Sequence, residues 1–176
     1  MDIYFLRHAS AGDSTLSPAK DDERPLDKLG IEQSHNVGCA LGAMKVAFDA
    51  ILSSPLLRAQ QTAKIVAEEV GHKGKIVTEP NLHPGGSYEQ FQDMLLRHES
   101  KASILVVGHN PSMTEFLNKL LIGEDAPDAV EVKKATIAKV EKNGNQATLK
   151  WCLPPKVLRA IQQDSAKSSR PKTVSK

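Results

Sequence analysis

Three short apolar runs constrain this chain more than any other feature: Ile3 to Leu6, Ala50 to Ser53 and Ser103 to Val107. Each is too short for a helix and lacks an alternating polar face, so each reads as a strand buried on both sides. Such strands need helices above and below their sheet, and the stretches between them carry helical patterns. Val37, Ala40, Leu41 and Met44 share one face of a helix from about Leu29 to Met44. Ala59, Ala63, Val66, Ala67 and Val70 keep the same spacing up to Gly71, a helix stop. Further helices are predicted near Tyr88 to Arg97 and over Met113, Phe116, Leu117, Leu120 and Leu121, the last closed by Gly123. Ile76-Val77 reads as a short strand, and residues 9–26 as a long loop. Ala135 to Val140 and Ala147 to Leu153 flank Asn143-Gly144 and predict an antiparallel hairpin. The expected class is α/β: a mostly parallel central sheet, helices on both faces, and an antiparallel hairpin at the C-terminal end.

The 176 residues suffice for one such domain. It is placed at residues 1–161, and a Ser/Lys-rich stretch, 162–176, is expected to be a disordered basic tail. Net charge is +2, but four bases and one acid lie between Asp164 and Lys176, so the preceding residues are slightly acidic. That balance argues against nucleic-acid binding through bulk charge. No apolar run approaches a membrane span, and the N-terminus lacks the pattern of a signal peptide. Cys39 and Cys152 make no disulfide framework or CxxC pair. A cytoplasmic protein, without nucleic-acid or membrane partners and expected to be a monomer, is the resulting expectation.

The chemistry gathers where strands end. Arg7-His8 terminates the first run, Ser54-Pro55 and Arg58 follow the second, and Gly108-His109 follows the third. In open α/β sheets the carboxyl ends of strands are where ligands bind. Two adjacent cations closing so apolar a strand call for something anionic to offset them. Ser54-Pro55 is predicted as an N-cap followed by proline at the first helical position. Arg58 would then reach back over the helix start, a place for a phosphate or carboxylate. Asn110-Pro111 repeats that cap pattern just after His109. Taken singly, each feature also fits a surface arginine or a structural histidine. No HxH or HExxH spacing occurs among the six histidines, so no metal site is expected.

Together the pieces are more specific. A strand ending in Arg7-His8, then Ser54-Pro-x-x-Arg58-Ala-x-x-Thr62, then Val106-x-Gly108-His109 resembles the histidine phosphatase superfamily, the group related to phosphoglycerate mutases. Arg24-Pro25-Leu26, Gly30 and the Leu82-x-Pro84-x-Gly86 loop are similar to its small SixA-type phosphohistidine phosphatases. The resemblance spans about Met1 to Leu153 and implies a three-layer, phosphoglycerate mutase-like fold. It also implies His8 as the nucleophile that becomes phosphohistidine. Arg7, Arg58 and His109 would bind the phosphate and stabilise its transition-state charge. No cofactor or metal is implied.

Two departures from the family pattern matter. Ala9 replaces the usual glycine after the Arg-His pair, which requires a negative φ there. Mutase-like members carry a Glu where this chain has Pro84. A dedicated acid is needed most for an alkoxide leaving group, so its absence favours a P–N substrate. Asp21 matches an acidic position of SixA-type proteins and is the candidate acid, with Asp22 and His83 as rivals. Only 50 residues separate Arg58 from His109, which leaves no room for a large lid insertion. A shallow, open pocket is therefore expected, suited to a phosphorylated histidine on a phosphotransfer-type protein domain. A phosphatase of small phosphorylated metabolites and a non-catalytic phosphate-binding module are the alternatives.

Overall fold

A computed structural model describes residues 1–12, 21–125 and 127–168. Strand β1 (Asp2–Arg7) is followed by helix α1 (Lys28–Ala43), β2 (Ala50–Ser53), α2 (Leu57–Glu69) and β3 (Ile76–Thr78). A 3-10 turn (Pro80–Leu82), α3 (Tyr88–Arg97), β4 (Ser103–Gly108) and α4 (Ser112–Ile122) come next, then β5 (Ile137–Asn143), β6 (Gln146–Leu153) and α5 (Pro155–Ser168). The six strands form one sheet in the order β3-β2-β4-β1-β5-β6. The first four run parallel, and β5 and β6 are antiparallel to their neighbours. This is the expected α/β fold, with helices on both faces.

The two-residue period of β1 shows why both faces must be covered. Ile3 and Phe5 face Phe91 and Met94 of α3 and Phe116 of α4, with the Phe91 and Phe116 rings stacked at 4.7 Å. Tyr4 and Leu6 face Val37 and Leu41 of α1, Ala63 and Val66 of α2, and Leu158 of α5. Burial of these side chains, at roughly 25 cal/mol per Å² of apolar surface, drives the layering. The register then lines up the functional ends of the strands. Arg7 pairs with Gly108, Leu6 and Ser53 both pair with Val107, and the His8 N–H donates to the Gly108 carbonyl at 3.0 Å.

The start of α1 ties the loop after β1 to the helix. Asp27 is its N-cap and accepts from the Gly30 N–H at 2.7 Å, the Ser10 hydroxyl at 2.7 Å and the Gly12 N–H at 2.8 Å. Burial pushes the Asp27 carboxyl up, but those three bonds outweigh it and hold its pKa below the usual range. Gly30 lies so close to the Ser10 carbonyl that a Cβ would overlap it, which is why glycine stands there.

Several local expectations are corrected. Ser54 is not a helix cap: Leu56 is the N-cap of α2, without a side-chain bond, so Arg58 is the second helical residue. Ser54 is drawn away by a tertiary partner, His109. Asn110 does not cap α4 either. Its Nδ2 donates to the Val132 carbonyl at 2.9 Å, and Pro111 takes the cap position. Met44, expected on the buried face of α1, is its exposed C-cap, and the covered face is Gly30, Ser34, Val37, Gly38 and Leu41. Small residues let α1 and α2 approach closely, which an apolar count overlooks. The hairpin turn is Gly144-Asn145, one residue later than expected, with Gly144 at φ +57°. Residues 13–20 of the expected loop lie outside the described residues, and Asp21-Asp22 are helical. Helix α5, which the sequence did not predict, crosses the expected tail boundary at residue 162. Residues 169–176 lie outside the described residues. Among the described residues no helix is long and apolar enough to cross a membrane.

Candidate active site

The sheet brings Arg7, His8, Arg58 and His109 together at the carboxyl ends of β1, β2 and β4. The His8 and His109 rings lie 4.8 Å apart between centroids. His8, Arg58 and His109 are 6%, 4% and 2% exposed, so the functional groups are covered, and only Arg7 is half-buried.

The geometry of His8 assigns its proton. Nδ1 lies 2.7 Å from the Ala9 carbonyl, which can only accept, so Nδ1 carries the hydrogen and Nε2 holds the lone pair. Burial is the main force keeping the ring neutral, lowering its pKa to about 3. The Ala9 carbonyl opposes that shift, while the charges of Arg58, Arg7 and Lys134 reinforce it. His109 is held neutral in the same way, at about 2, by burial first and then by His8, Arg58, His83 and Arg7.

Among the described residues, three buried nitrogens in this group have no partner: Arg7 Nε, Arg58 Nε and His109 Nδ1. Buried donors are normally satisfied. Three orphans on three residues that neighbour the His8 ring suit an anion with several oxygens. Both guanidiniums are otherwise anchored. Arg7 Nη1 donates to the Val132 carbonyl at 3.3 Å, and Arg58 Nη1 to the Asp21 carbonyl at 2.8 Å. Burial lowers the pKa of each arginine, with Glu131 opposing it at Arg7 and Asp21 opposing it at Arg58.

Asp21 is brought to this group as an ion-paired carboxylate. Its Oδ1 is 2.7 Å from Arg24 Nε and its Oδ2 is 3.2 Å from Arg58 Nη2. Arg24 in turn donates to the Ala11 and Gly12 carbonyls. The rival acids are more exposed: His83 Nε2 lies 3.9 Å from Asp22 Oδ1, and its Nδ1–H donates to the Pro84 carbonyl at 2.9 Å.

Sequence reasoning missed four supporting residues. Thr62 accepts from the Ala9 N–H at 3.2 Å and donates to the Arg58 carbonyl at 2.7 Å, joining the loop that carries His8 to α2. Its place in the Ser54-to-Thr62 pattern was the available signal. Asp27 holds the same loop, and Asp-x-x-Gly before a helical pattern marks it as a cap. Ser54 engages His109. Lys134 is half-buried and adds positive charge near His8, with no sequence signal beyond its position before the hairpin. Ala9 is fully buried against Ala11, Leu26 and Ala135. It is not among the residues with positive φ, so the methyl is accommodated as expected.

A groove of about 800 Å³ lies elsewhere, lined by Met1, Tyr88, Leu96 and Ile122 among others, and none of the four residues borders it. Converging orphan donors, rather than volume, mark the chemistry. Among the described residues no group of three or more His, Cys, Asp or Glu side chains could hold a metal ion.

The neutral histidines have a measurable consequence. An unfolded chain binds protons at the ordinary histidine pKa of about 6.5, whereas His8 in the folded chain resists them down to about 3. The unfolded state therefore binds more protons in that window, and stability falls as pH drops through it. Each buried histidine contributes up to about 1.4 kcal/mol per pH unit. Urea unfolding between pH 7 and pH 4 should show this slope, and His8→Ala should flatten it. An equal slope in the variant would refute the assignment.

The histidine phosphatase superfamily (branch 1) profile matches residues 3–91. An uncharacterised protein of Picosynechococcus is 36% identical over 140 residues, covering 78% of this chain and 82% of that one. Phosphohistidine phosphatase SixA of Escherichia coli is 31% identical over 157 residues, covering 88% and 94%. A solved structure of the protein histidine phosphatase SixA complexed with tungstate superposes with a TM-score of 0.77 at 30% identity. It covers 90% of this chain and 99% of that one.

Proposed function

Because the chain belongs to the histidine phosphatase superfamily and is thereby a phosphatase-type hydrolase, we propose that it removes phosphate from a phosphorylated histidine of another protein. The observation that carries this reading is the bare Nε2 of His8, surrounded by unpartnered nitrogens of Arg7, Arg58 and His109. In the first step the Nε2 lone pair attacks phosphorus. The P–N bond to the substrate imidazole breaks, its electron pair returns to the substrate nitrogen, and that nitrogen takes up a proton. In the second step water attacks the phosphorus on His8. The Nε2–P bond breaks, its pair returns to Nε2, inorganic phosphate departs, and the water proton passes to phosphate or solvent. Arg7, Arg58 and His109 hold the equatorial oxygens, where phosphoryl transfer places its charge.

The chain's own cations supply this compensation, so the mechanism is metal-independent and uses no cofactor. A neutral imidazole leaves more readily than an alkoxide, which fits Pro84 in place of a dedicated acid. We read Asp21 as holding Arg58 rather than as the proton donor, because both of its carboxylate oxygens engage guanidiniums. The sequence likeness to a phosphohistidine phosphatase supports a phosphorylated protein histidine, as on a histidine phosphotransfer-type domain, as the partner, and the two free cysteines suit a cytoplasmic setting.

The deciding experiment compares hydrolysis of a phosphohistidine peptide with that of sugar phosphates. The expected result is a preference for the P–N substrate on the order of tenfold or more in kcat/KM. A preference for the sugar phosphates would replace this reading with a small-metabolite phosphatase.

A further inference from the structure

Ser54 is fully buried at the end of β2, and its hydroxyl oxygen lies 2.8 Å from Nε2 of His109. The Leu56 N–H donates to the same oxygen at 3.3 Å, occupying one of its lone pairs. The other ring nitrogen of His109, Nδ1, is buried without a partner. A neutral imidazole carries one proton, and the bond made by one nitrogen decides which nitrogen holds it. In water the Nε2–H form of a histidine side chain is the commoner tautomer. Here that form would leave a bare Nδ1 lone pair buried at an anion site.

We infer that Ser54 is a positioning residue: it donates its hydroxyl proton to Nε2 of His109 and fixes that ring as the Nδ1–H tautomer. The free N–H is then the only donor that the His109 ring can offer a phosphate oxygen, since Nε2 is already engaged. The adjacent His8 ring carries its proton on Nδ1 for a different reason, the Ala9 carbonyl, and there the bare Nε2 is the reactive atom. Two rings 4.8 Å apart thus share a tautomer while presenting opposite faces, a lone pair from His8 and a donor from His109. Ser54 touches His109, not the substrate. The purpose of this tautomer rests on the proposed phosphatase function, but the tautomer itself can be read without turnover.

Side-chain nitrogen NMR of the full, ¹⁵N-labelled chain at neutral pH tests it. The wild type should show a pyrrole-type signal at His109 Nδ1 and a pyridine-type signal at Nε2. In Ser54→Ala both His109 signals should move toward the opposite tautomer while the His8 signals stay in place. Binding of inorganic phosphate, followed in the same spectra, should weaken about tenfold in the variant. A pyridine-type Nδ1 in the wild type would overturn the inference whether or not the variant folds, as would His109 signals unmoved by the substitution. Wild type that shows the expected signals but releases no phosphate from a phosphohistidine peptide would support the tautomer and remove the phosphohistidine reading.

Discussion

His8→Ala is expected to lower kcat on the order of 10⁴-fold, because in the proposed mechanism it removes the atom that takes the phosphoryl group. The loss should be in kcat rather than KM. Arg7, Arg58 and His109 remain to bind phosphate, and a substrate that still binds has nothing in line to receive its phosphorus. A short incubation with labelled phosphohistidine peptide, quenched in base, should leave label on the wild type and none on the variant. Alkaline quenching matters, since a phosphorus–nitrogen bond survives base better than acid. Turnover that persisted in His8→Ala would point to direct attack by water and would remove the covalent mechanism altogether. The substitution is tolerable structurally. The ring is buried, but among the described residues its one hydrogen bond is to its own neighbour Ala9.

The second large effect is expected at Arg58. Removing one charged donor from a preorganised anion site costs roughly 10²–10³-fold, and Arg58 is the most deeply buried cation of the group. Arg58→Ala should fall in that range in kcat/KM. Asp21→Asn gives the more informative comparison. If Asp21 only holds Arg58, its loss should be smaller, and it should have little further effect once Arg58 is alanine, because the two act as one unit. If Asp21 instead protonated the leaving group, the two effects would add and the alkaline side of the pH–rate profile would disappear in Asp21→Asn. Steady-state kinetics on the four proteins of this double-mutant cycle separates the two roles.

Much of the fold was legible because its signals are local. The runs ending at Leu6, Ser53 and Val107 are continuous apolar segments broken by polar residues, and each proved a strand whose end lies within one residue of the run's. Helix α3 was placed at its observed ends, where Ser87 and Gln90 form a capping box. The failures have a common physical cause, competition from residues far away in sequence. Ser54 and Asn110 both look like helix caps, but His109 and the Val132 carbonyl take their side chains instead. Helix α5 was obscured by a Ser/Lys-rich composition, although Leu158 anchors it against α1 and α2. The four site residues were legible only in combination. The ion pair that places Arg58 joins α2 to a residue 37 positions earlier and has no local signature.

The pairing of β1 also bears on when activity can arise during synthesis. Asp2 pairs with Ser103 on one side and with Glu141 on the other. The strand that leads into His8 thus takes both of its neighbours from segments far along the chain. Contacts so distant in sequence are slow to form, since chain closure costs entropy before the pairing rewards it. The carbonyl that anchors Arg7 belongs to Val132, and the Ala135 N–H reaches the Arg7 and His8 carbonyls just before β5 begins. A ribosome-bound chain lacking this segment would hold His8 without its surroundings. The surroundings of His8 would therefore be completed as one event, only once the segment from Val132 to Ala135 has been made and has docked against the end of β1.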